Sequence, residues 1–330
     1  MLSCASISDE SDLPLADVRK RHKSSPMIIK NICDTEPFDL PRLTVALGNF
    51  DGVHFAHTKL IKKAKEIASS LCTSAGEKIL TAVFTFSDLK KPLITTTDEK
   101  LAIFERLGVD AVILCPFESV KDMSPEDFVR DVLKDRLSCV HAVCGYNYRF
   151  GKGALGDPQT LCSLTRHYGI GCTVVDEIVG VSSTRVRELI SAGDVEGAGD
   201  LLGRPFSLSG RIVHGKGLGH TFGCPTVNVD IPDGKILPAR GVYFTVCRIG
   251  DTLFHAVTNV GVCPTFGDTD KTVCENHLID VSRELYGEYA EVIFLAFRRS
   301  EKRFDSPEEL YKTVREDITA ARDFYLARTT

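Results

Sequence analysis

Two histidines three residues apart lie in a glycine-flanked segment, Gly48-Asn49-Phe50-Asp51-Gly52-Val53-His54-Phe55-Ala56-His57, between a strand-like run and a helical run. The first-turn amides of a helix bind anions, and imidazoles at the same helix end stabilise charge that builds on a phosphate during displacement. A single histidine in such a place is more often a helix cap or a surface residue. The pair, His54 and His57, therefore predicts a site of phosphate-transfer chemistry.

A second polar segment, Ser182-Ser183-Thr184-Arg185-Val186-Arg187-Glu188, opens another predicted helix. Hydroxyls, first-turn amides and guanidinium groups together bind pyrophosphate well. Taken alone, the segment is equally compatible with a capped helix whose arginines are solvated. Combined with the histidine segment in one domain, it predicts a pyrophosphate clamp made of Ser183, Thr184, Arg185 and Arg187.

A glycine-rich loop, His214-Gly215-Lys216-Gly217-Leu218-Gly219-His220, is followed closely by Pro225-Thr226-Val227-Asn228. The loop is neither a Walker A loop nor a dinucleotide fingerprint, but glycines at 215, 217 and 219 let backbone amides approach phosphates. Thr226 and Asn228 are two apart on an extended segment, so their side chains point the same way. Hydroxyl and carboxamide oxygens suit Mg²⁺, so we expect nucleotide phosphates at Gly215, Gly217 and Gly219 and the metal at Thr226 and Asn228.

Glu275 lies in Val273-Cys274-Glu275-Asn276-His277-Leu278, a run that is typical of a buried strand. An acidic side chain there is costly unless it has a partner or a task. Accepting the proton of a substrate hydroxyl during phosphoryl transfer is such a task. The alternative is a glutamate at a strand edge that faces solvent.

The elements that must position these residues change in kind along the chain. From Arg42 to about Gly203, strands alternate with amphipathic helices, and helix-start signals occur at Ser124-Pro125 and Asp157-Pro158. Alternation of this kind predicts a parallel sheet covered on both faces, with ligands at the carboxyl ends of the strands. The predicted strands are Leu43–Leu47, Ile79–Phe86, Ala111–Cys115, His141–Cys144 and Cys172–Val175.

Beyond Leu202-Gly203-Arg204-Pro205, strands follow one another with few helices, which predicts an antiparallel barrel. A terminal helix begins at Ser306-Pro307. We therefore expect three parts: residues 1–40 as an N-terminal extension and lead-in, 41–203 as an α/β domain and 204–330 as a barrel domain. The predicted barrel strands are Phe206–His214, Val242–Arg248, Leu253–Asn259, Thr272–Val281 and Ala290–Phe297.

Composition bounds the class of protein. The 330 residues are 43% hydrophobic with a formal net charge of −5, so no broad basic field favours nucleic acid. No stretch is apolar enough to span a membrane, and we expect no membrane partner. The 12 cysteines are scattered without a C-x-x-C pair, which predicts reduced thiols in a cytoplasmic protein. The oligomeric state is not predicted.

The histidine segment together with Ser182–Arg187 resembles the HxGH nucleotidyltransferase superfamily, whose domain is Rossmann-like. More closely, and including Gly145-Tyr146-Asn147-Tyr148-Arg149-Phe150-Gly151, the chain looks like the bifunctional prokaryotic riboflavin kinase/FMN adenylyltransferase (FAD synthetase) family. The P-T-x-N segment at Pro225 and the later glutamate are similar to the riboflavin kinase half. The resemblance runs from about Pro41 to Arg322.

This resemblance implies two ATP-dependent reactions, which convert riboflavin to FMN and FMN to FAD. Glu275 would deprotonate the ribityl hydroxyl of riboflavin, with Mg²⁺ held through Thr226 and Asn228. His54 and His57 would stabilise the adenylyl-transfer transition state. Asn49 and Asn147 would position nucleotide or phosphate.

Two departures from the family keep an alternative open. Ala56 stands where the HxGH motif has glycine, and Phe86 is followed by Ser87-Asp88-Leu89-Lys90-Lys91-Pro92 rather than by a Pro-His-Pro segment. The alternative is a riboflavin kinase whose first domain is degenerate and serves a structural or flavin-sensing role. A synthetase-like nucleotidyltransferase acting on tRNA is disfavoured, because no Lys-Met-Ser-Lys-Ser segment or basic extension occurs.

Overall fold

The computed structural model describes residues 26–72, 78–88, 92–213, 226–263, 271–281 and 285–329. The chain divides into two compact units, of which the first ends at Ser183 and the second begins at Thr184. The first unit is an α/β layer structure and the second is built around a closed antiparallel barrel. This confirms the fold class that the sequence predicts.

The first unit contains a six-stranded sheet in the order β1-β4-β3-β2-β5-β6. Every neighbouring pair in it is parallel. Parallel strands covered on both faces are continuous apolar runs, and β2 is buried at all five positions. The strands are β1 Ile28–Asn31, β2 Leu43–Leu47, β3 Leu80–Phe86, β4 Ala111–Cys115, β5 Cys139–Gly145 and β6 Gly171–Val175.

Helices cover both faces of this sheet. One face packs with α1 and α2 around Ala46, Val83 and Phe104, and the other packs with α4 around Val45 and Phe128. A threonine–glutamate capping box, formed by Thr96 and Glu99, starts α2. The helices are α1 Phe55–Leu71, α2 Thr97–Arg106, α3 Pro125–Asp127, which continues as π-helical Phe128–Arg136, and α4 Pro158–His167.

The strand order reverses between β2 and β5. From β2 the chain builds outward through β3 and β4, and it then returns to place β5 on the other side of β2. Ligands of open α/β sheets bind beyond the carboxyl ends of the strands at such a switch point. The segments that follow β2 and β5 are the histidine segment and Gly145–Gly151.

The second unit begins with two helices, α5 Ser183–Ala192 (whose first residue ends the first unit) and α6 Val195–Leu202. Gly203 ends α6 with a left-handed φ of 70°, the conformation in which glycine costs least. A closed barrel follows in the order β10-β11-β8-β7-β12-β9, with every pair antiparallel. Its strands are β7 Ser207–Val213, β8 Thr226–Asp230, β9 Gly241–Ile249, β10 Thr252–Cys263, β11 Lys271–Leu278 and β12 Tyr289–Arg299.

The terminal helix, α7 Pro307–Thr329, packs against the barrel. Tyr325 is buried and its hydroxyl donates to the carbonyl oxygens of Thr245 at 2.6 Å and Ala256 at 3.0 Å. Asp317, only 3% exposed, accepts hydrogen bonds from Nε and Nη2 of Arg299. A buried carboxylate of this kind needs its partner, so this pair fixes α7 to β12.

Candidate functional site

The histidine turn, residues 48–57, runs from the end of β2 into the first turn of α1. Its backbone bends sharply, because Phe50, Gly52 and Val53 have φ values of 50°, 82° and 40°. Glycine takes a left-handed φ at no steric cost, whereas a phenylalanine or a β-branched valine does not. Strain of this kind persists only where surrounding contacts hold the backbone, and it is concentrated at functional sites.

The two predicted histidines lie against each other at the start of α1. His54 is the N-cap, and its Nδ1 accepts a hydrogen bond from the backbone N–H of His57 at 3.4 Å. The rings stack with centroids 3.7 Å apart and 14° between their planes. The first turn of α1 has no acidic residue. Two imidazoles and a helix N-terminus thus lie together, an arrangement that is compatible with the predicted phosphate contact.

Asp51 anchors the histidine turn. It is 2% exposed, and its Oδ1 accepts hydrogen bonds from the backbone N–H groups of Ile94 at 3.0 Å and Thr95 at 3.1 Å. The hydroxyl of Thr95 accepts from the N–H of Gly52 at 3.0 Å. Ser183 donates from its Oγ to the carbonyl oxygen of Asp51 at 2.8 Å. The structure thus brings Ser183 to the histidine turn.

The two predicted asparagines are exposed at the same edge of the sheet. Asn49 follows β2 and Asn147 follows β5, and these strands are parallel neighbours. The hydroxyl of Thr85 donates to the carbonyl oxygen of Asn49 at 2.8 Å. Their position beyond adjacent carboxyl ends is compatible with the predicted contacts to a nucleotide.

The remaining members of the predicted pyrophosphate clamp belong to the second unit. Thr184 and Arg185 are exposed and Arg187 is half-buried, all in the first turns of α5. Arg185 forms an ion pair with Glu188 at 3.0 Å on the same helix. An exposed pair of this kind contributes little to stability. The clamp stays a prediction.

A cavity of about 300 Å³ lies in the first unit beyond the carboxyl ends of β3 and β5. Its walls are largely aromatic, and two of its rings, Tyr148 and Phe150, stack at 5.7 Å. An aromatic cavity with a few charged groups at its rim suits a flat organic ring. The lining includes Phe84, Phe86, Phe117, Phe128, Tyr148, Phe150, Lys121 and Arg149.

The aromatic cavity could not be predicted from the sequence. Its members come from separated segments, and an aromatic residue at a strand end has the same pattern as a core residue. One signal was present in the sequence, since the Gly145–Gly151 segment carries Tyr148 and Phe150 directly after a strand. Side chains at that position face the ligand edge of a parallel sheet.

In the barrel, the strand register places three polar residues in a row that we call the outer row: Asn228, Glu275 and Asn259. Glu275 on β11 lies directly opposite Asn228 on β8 and opposite Asn259 on β10. Directly opposed residues of antiparallel strands point to the same face. Asn228 is 9% exposed and Glu275 is half-buried. Glu275 is therefore neither in the core nor on a fully solvated edge.

Thr226 shares this face with Asn228 and Glu275. It lies opposite His277, two residues beyond Glu275 on β11, and side chains two apart on a strand point the same way. The hydroxyl and carboxamide oxygens beside a carboxylate fit Mg²⁺, which prefers hard oxygen donors and shares them with nucleotide phosphates. Glycines 215, 217 and 219, the predicted phosphate loop, lie outside the described residues.

A buried polar chain inside the barrel fixes this register. Asn276 is fully buried, and its Nδ2 donates to the carbonyl oxygen of Val227 at 3.1 Å. The hydroxyl of Thr258 donates to Oδ1 of Asn276 at 2.8 Å and lies 2.6 Å from the hydroxyl of Thr245. These groups join β8, β11, β10 and β9. A one-residue slip would leave them unsatisfied, so they favour the pairing that places Glu275 opposite Asn228.

Comparison with known proteins matches each unit to a family of its own. Residues 37–188 match the FAD synthetase family model, and residues 202–325 match the riboflavin kinase family model. A bifunctional riboflavin kinase/FMN adenylyltransferase from Listeria monocytogenes is 33% identical over 85% of this chain and 92% of its own length. The enzymes of the same name from Bacillus subtilis (32%, over 90% and 98%) and Escherichia coli (33%, over 85% and 92%) are similarly related.

This chain belongs to the bifunctional riboflavin kinase/FMN adenylyltransferase family. The predicted family membership is thereby confirmed. A crystal structure from Streptococcus pneumoniae, described as a macrolide-efflux protein, also matches with a TM-score of 0.79 and 26% identity. That match covers 90% of this chain and 99% of the other, and it supports the fold. None of the helices in the described ranges has the length and hydropathy needed to cross a bilayer.

The first departure from the family pattern, Ala56, lies half-buried in the first turn of α1. The N-cap bond from His57 to His54 forms with alanine in place, and so does the stack of their rings. The additional methyl group therefore leaves the relation between the two histidines intact.

The second departure, the segment after Phe86, is described up to Asp88. The Oδ1 of Asp88 accepts a hydrogen bond from the backbone N–H of Phe117 at 2.8 Å. Phe117 lines the aromatic cavity and stacks edge-on against Phe86 at 5.4 Å. In this chain, Asp88 thus orders one wall of the cavity; residues 89–91 lie outside the described ranges.

Proposed function

We propose that this chain makes FAD in two steps, each of which uses one ATP: the second unit phosphorylates riboflavin to FMN, and the first unit adenylylates FMN. The observation that carries the proposal is that each unit, matched by its own family, holds a separate set of groups suited to phosphate chemistry. These are the stacked His54 and His57 in one unit and the outer row in the other.

In the kinase step, the carboxylate of Glu275 accepts the proton of the ribityl 5′-hydroxyl as its oxygen attacks the γ-phosphate of ATP, and ADP leaves. Asn228, directly opposite Glu275, and Thr226 on the same face would hold Mg²⁺. When bound, Mg²⁺ neutralises charge on the nucleotide phosphates. The register fixed by Asn276 keeps the base and these oxygen donors on neighbouring strands.

In the adenylyl step, an oxygen of the FMN phosphate attacks the α-phosphate of ATP, and the bond from that phosphorus to the pyrophosphate oxygen breaks. No base is needed, because the attacking phosphate is already ionised. His54, His57 and the amides of α1 stabilise charge on the α-phosphate. Ser183, Thr184, Arg185 and Arg187 hold the leaving pyrophosphate, and Asn49 and Asn147 position the nucleotide.

We also propose that the isoalloxazine ring of FMN binds in the aromatic cavity. The cavity is at the carboxyl edge of the sheet, beside the segment that carries Asn147. Its stacked Tyr148 and Phe150 match a flat heteroaromatic ring, and Arg149 and Lys121 supply positive charge at its rim.

We assign residues 41–203 to adenylylation and residues 204–330 to phosphorylation. Both reactions would take place in the cytoplasm. The cysteines whose side chains the structure describes are free thiols, which supports a reducing compartment. Burial raises the pKa of Cys139 to about 12, so this thiol behaves as a small apolar side chain rather than as a nucleophile.

The test is chromatography of the products after the purified chain is incubated with riboflavin, ATP and Mg²⁺. Formation of both FMN and FAD is the expected result. FMN alone would support the alternative in which the first unit is degenerate. Absence of both products would overturn the proposal.

A further inference from the structure

Lys100 on α2 is a lysine in an unusual place. It is only 4% exposed, and its Nζ donates to the carbonyl oxygen of Phe86 at 2.9 Å and lies 3.4 Å from the hydroxyl of Thr85. Burial lowers the pKa of Lys100, and the nearby charge of Asp51 acts against this by raising it. A buried ammonium group is costly unless it is hydrogen-bonded, and both oxygen partners of Lys100 belong to β3.

The contacts of Lys100 reach both halves of the proposed adenylyl site, which are the histidine turn and the aromatic cavity. Through the hydroxyl of Thr85, which donates to the carbonyl oxygen of Asn49 at 2.8 Å, they reach the histidine turn. Through the carbonyl oxygen of Phe86, they reach the end of β3, where Phe86 enters the wall of the aromatic cavity. Lys100 thus contacts the backbone at the end of β3 directly and the backbone of the histidine turn through the hydroxyl of Thr85.

Phe50 and Val53 in the histidine turn adopt left-handed φ values, which persist only where the surrounding structure holds the backbone. The helix that carries Lys100 backs the turn at another point as well. Phe104, one helical turn after Lys100, packs edge-on against the ring of Phe50 with centroids 5.7 Å apart. Asp51, whose charge acts on Lys100, lies between these strained residues and is itself bonded to the segment before α2.

We propose that Lys100 is a positioning residue for FMN adenylylation, which holds the histidine turn and the aromatic cavity in a fixed relation. This inference rests on the proposed function of the first unit. Lys100 acts through Thr85 and Phe86 and touches no substrate. Lys100 has two arms, its contact with Thr85 and its contact with Phe86. The arm to Thr85 should affect kcat through the histidines, and the arm to Phe86 should affect KM for FMN through the cavity.

The experiment compares three variants by steady-state FMN adenylylation, with riboflavin phosphorylation and circular dichroism measured on the same preparations. Lys100→Met removes both arms and should lower kcat by about 10- to 100-fold and raise KM for FMN by roughly fivefold, because small misplacements of catalytic groups are costly. Thr85→Val removes only the arm to Asn49 and should lower kcat by about tenfold while KM for FMN stays within about twofold.

The matched control is Lys65→Met. Lys65 is also partly buried in the first unit and donates to a backbone carbonyl, that of Leu107, at 2.6 Å. This bond joins α1 to the carboxyl-terminal end of α2 and involves no residue of the histidine turn or of the cavity wall. We expect adenylylation by Lys65→Met to equal that of wild type. Phosphorylation should be unchanged in all three variants.

A merely structural lysine would behave differently, since loss of folded protein lowers kcat and leaves KM untouched. The inference is overturned if Lys100→Met shows an unchanged KM for FMN with a kcat loss equal to its loss of folded signal. A Thr85→Val variant with wild-type kcat also overturns it, even if Lys100→Met does not fold. If wild type itself makes no FAD from FMN, the proposed function fails instead.

Discussion

The first unit presents its phosphate-handling groups on a turn and a helix end, whereas the second presents them on the strands of a barrel. In the first, His54 and His57 lie beyond the parallel sheet and are held by bonds to Asp51 from distant segments. In the second, the register of β11 against β8 places Glu275 opposite Asn228. Loss of one hydrogen bond to Asp51 should therefore displace the first site only partly, whereas a shift of the strand register would separate the residues of the second.

The two sets of phosphate-handling groups should also act independently of each other. His54 and His57 lie in the first unit and the outer row lies in the second, and the two proposed reactions take place at different phosphates of ATP. Variants in one unit should then abolish one reaction and spare the other.

Glu275→Gln should lower riboflavin phosphorylation by about 100- to 10,000-fold, because glutamine keeps the size of the side chain and cannot accept the proton. Adenylylation of added FMN should remain close to wild type. The measurement is the initial rate of each reaction. Glu291→Gln, which alters a glutamate on β12 paired with Arg248, is the control and should leave both rates unchanged. A Glu275→Gln variant that keeps more than about a tenth of the kinase rate would rule out this residue as the base.

His57→Ala should lower FAD formation from FMN by about two to three decades, the usual cost of losing one preorganised donor to a transition state. Riboflavin phosphorylation should persist in the same preparation, because it takes place in the other unit. His167→Ala changes an exposed histidine of the first unit and serves as the control. Equal loss of both activities in His57→Ala would contradict the division between the units.

Asn228→Ala should reduce kinase turnover by about tenfold at low Mg²⁺, since a carboxamide oxygen is removed from the expected metal set. Raising Mg²⁺ should restore part of the rate, and the titration of rate against Mg²⁺ is the measurement. Adenylylation should keep its wild-type Mg²⁺ dependence. A variant with the wild-type rate at every Mg²⁺ concentration would remove Asn228 from the site.

Ala56→Gly should have the smallest effect, a change in FAD formation of less than about threefold, since the cap and the histidine stack already form with alanine and the glycine costs some helix stability. The measurement is the rate of adenylylation at saturating ATP and FMN. An increase above tenfold would show that the methyl group crowds the bound phosphate.

The two units also differ in how far the sequence predicts them. The strands Leu43–Leu47 and Ala111–Cys115 have the predicted bounds, because a buried parallel strand is a continuous apolar run between polar ends. The histidine pair could be predicted since its members are close in the sequence. The opposition of Glu275 and Asn228 could not, because it depends on the register of β8 against β11.

The residues that support the histidine turn and form the aromatic cavity could not be predicted from the sequence either. Lys100 occupies a helical position where lysine normally faces solvent, and its burial follows from the packing of α2 beneath the histidine turn. The aromatic cavity consists of residues that read as core, such as Phe84 and Phe86. Such residues line a cavity only because the folded sheet brings the ends of separate strands together, and the sequence pattern alone does not show this.

The most direct test of two independent sites in one chain is complementation between Glu275→Gln and His57→Ala. With riboflavin, ATP and Mg²⁺, the first variant should make neither product and the second should stop at FMN. Mixed together, they should make FAD, because FMN released by His57→Ala is adenylylated by Glu275→Gln. A mixture that accumulates FMN without FAD, although Glu275→Gln adenylylates added FMN, would contradict the account.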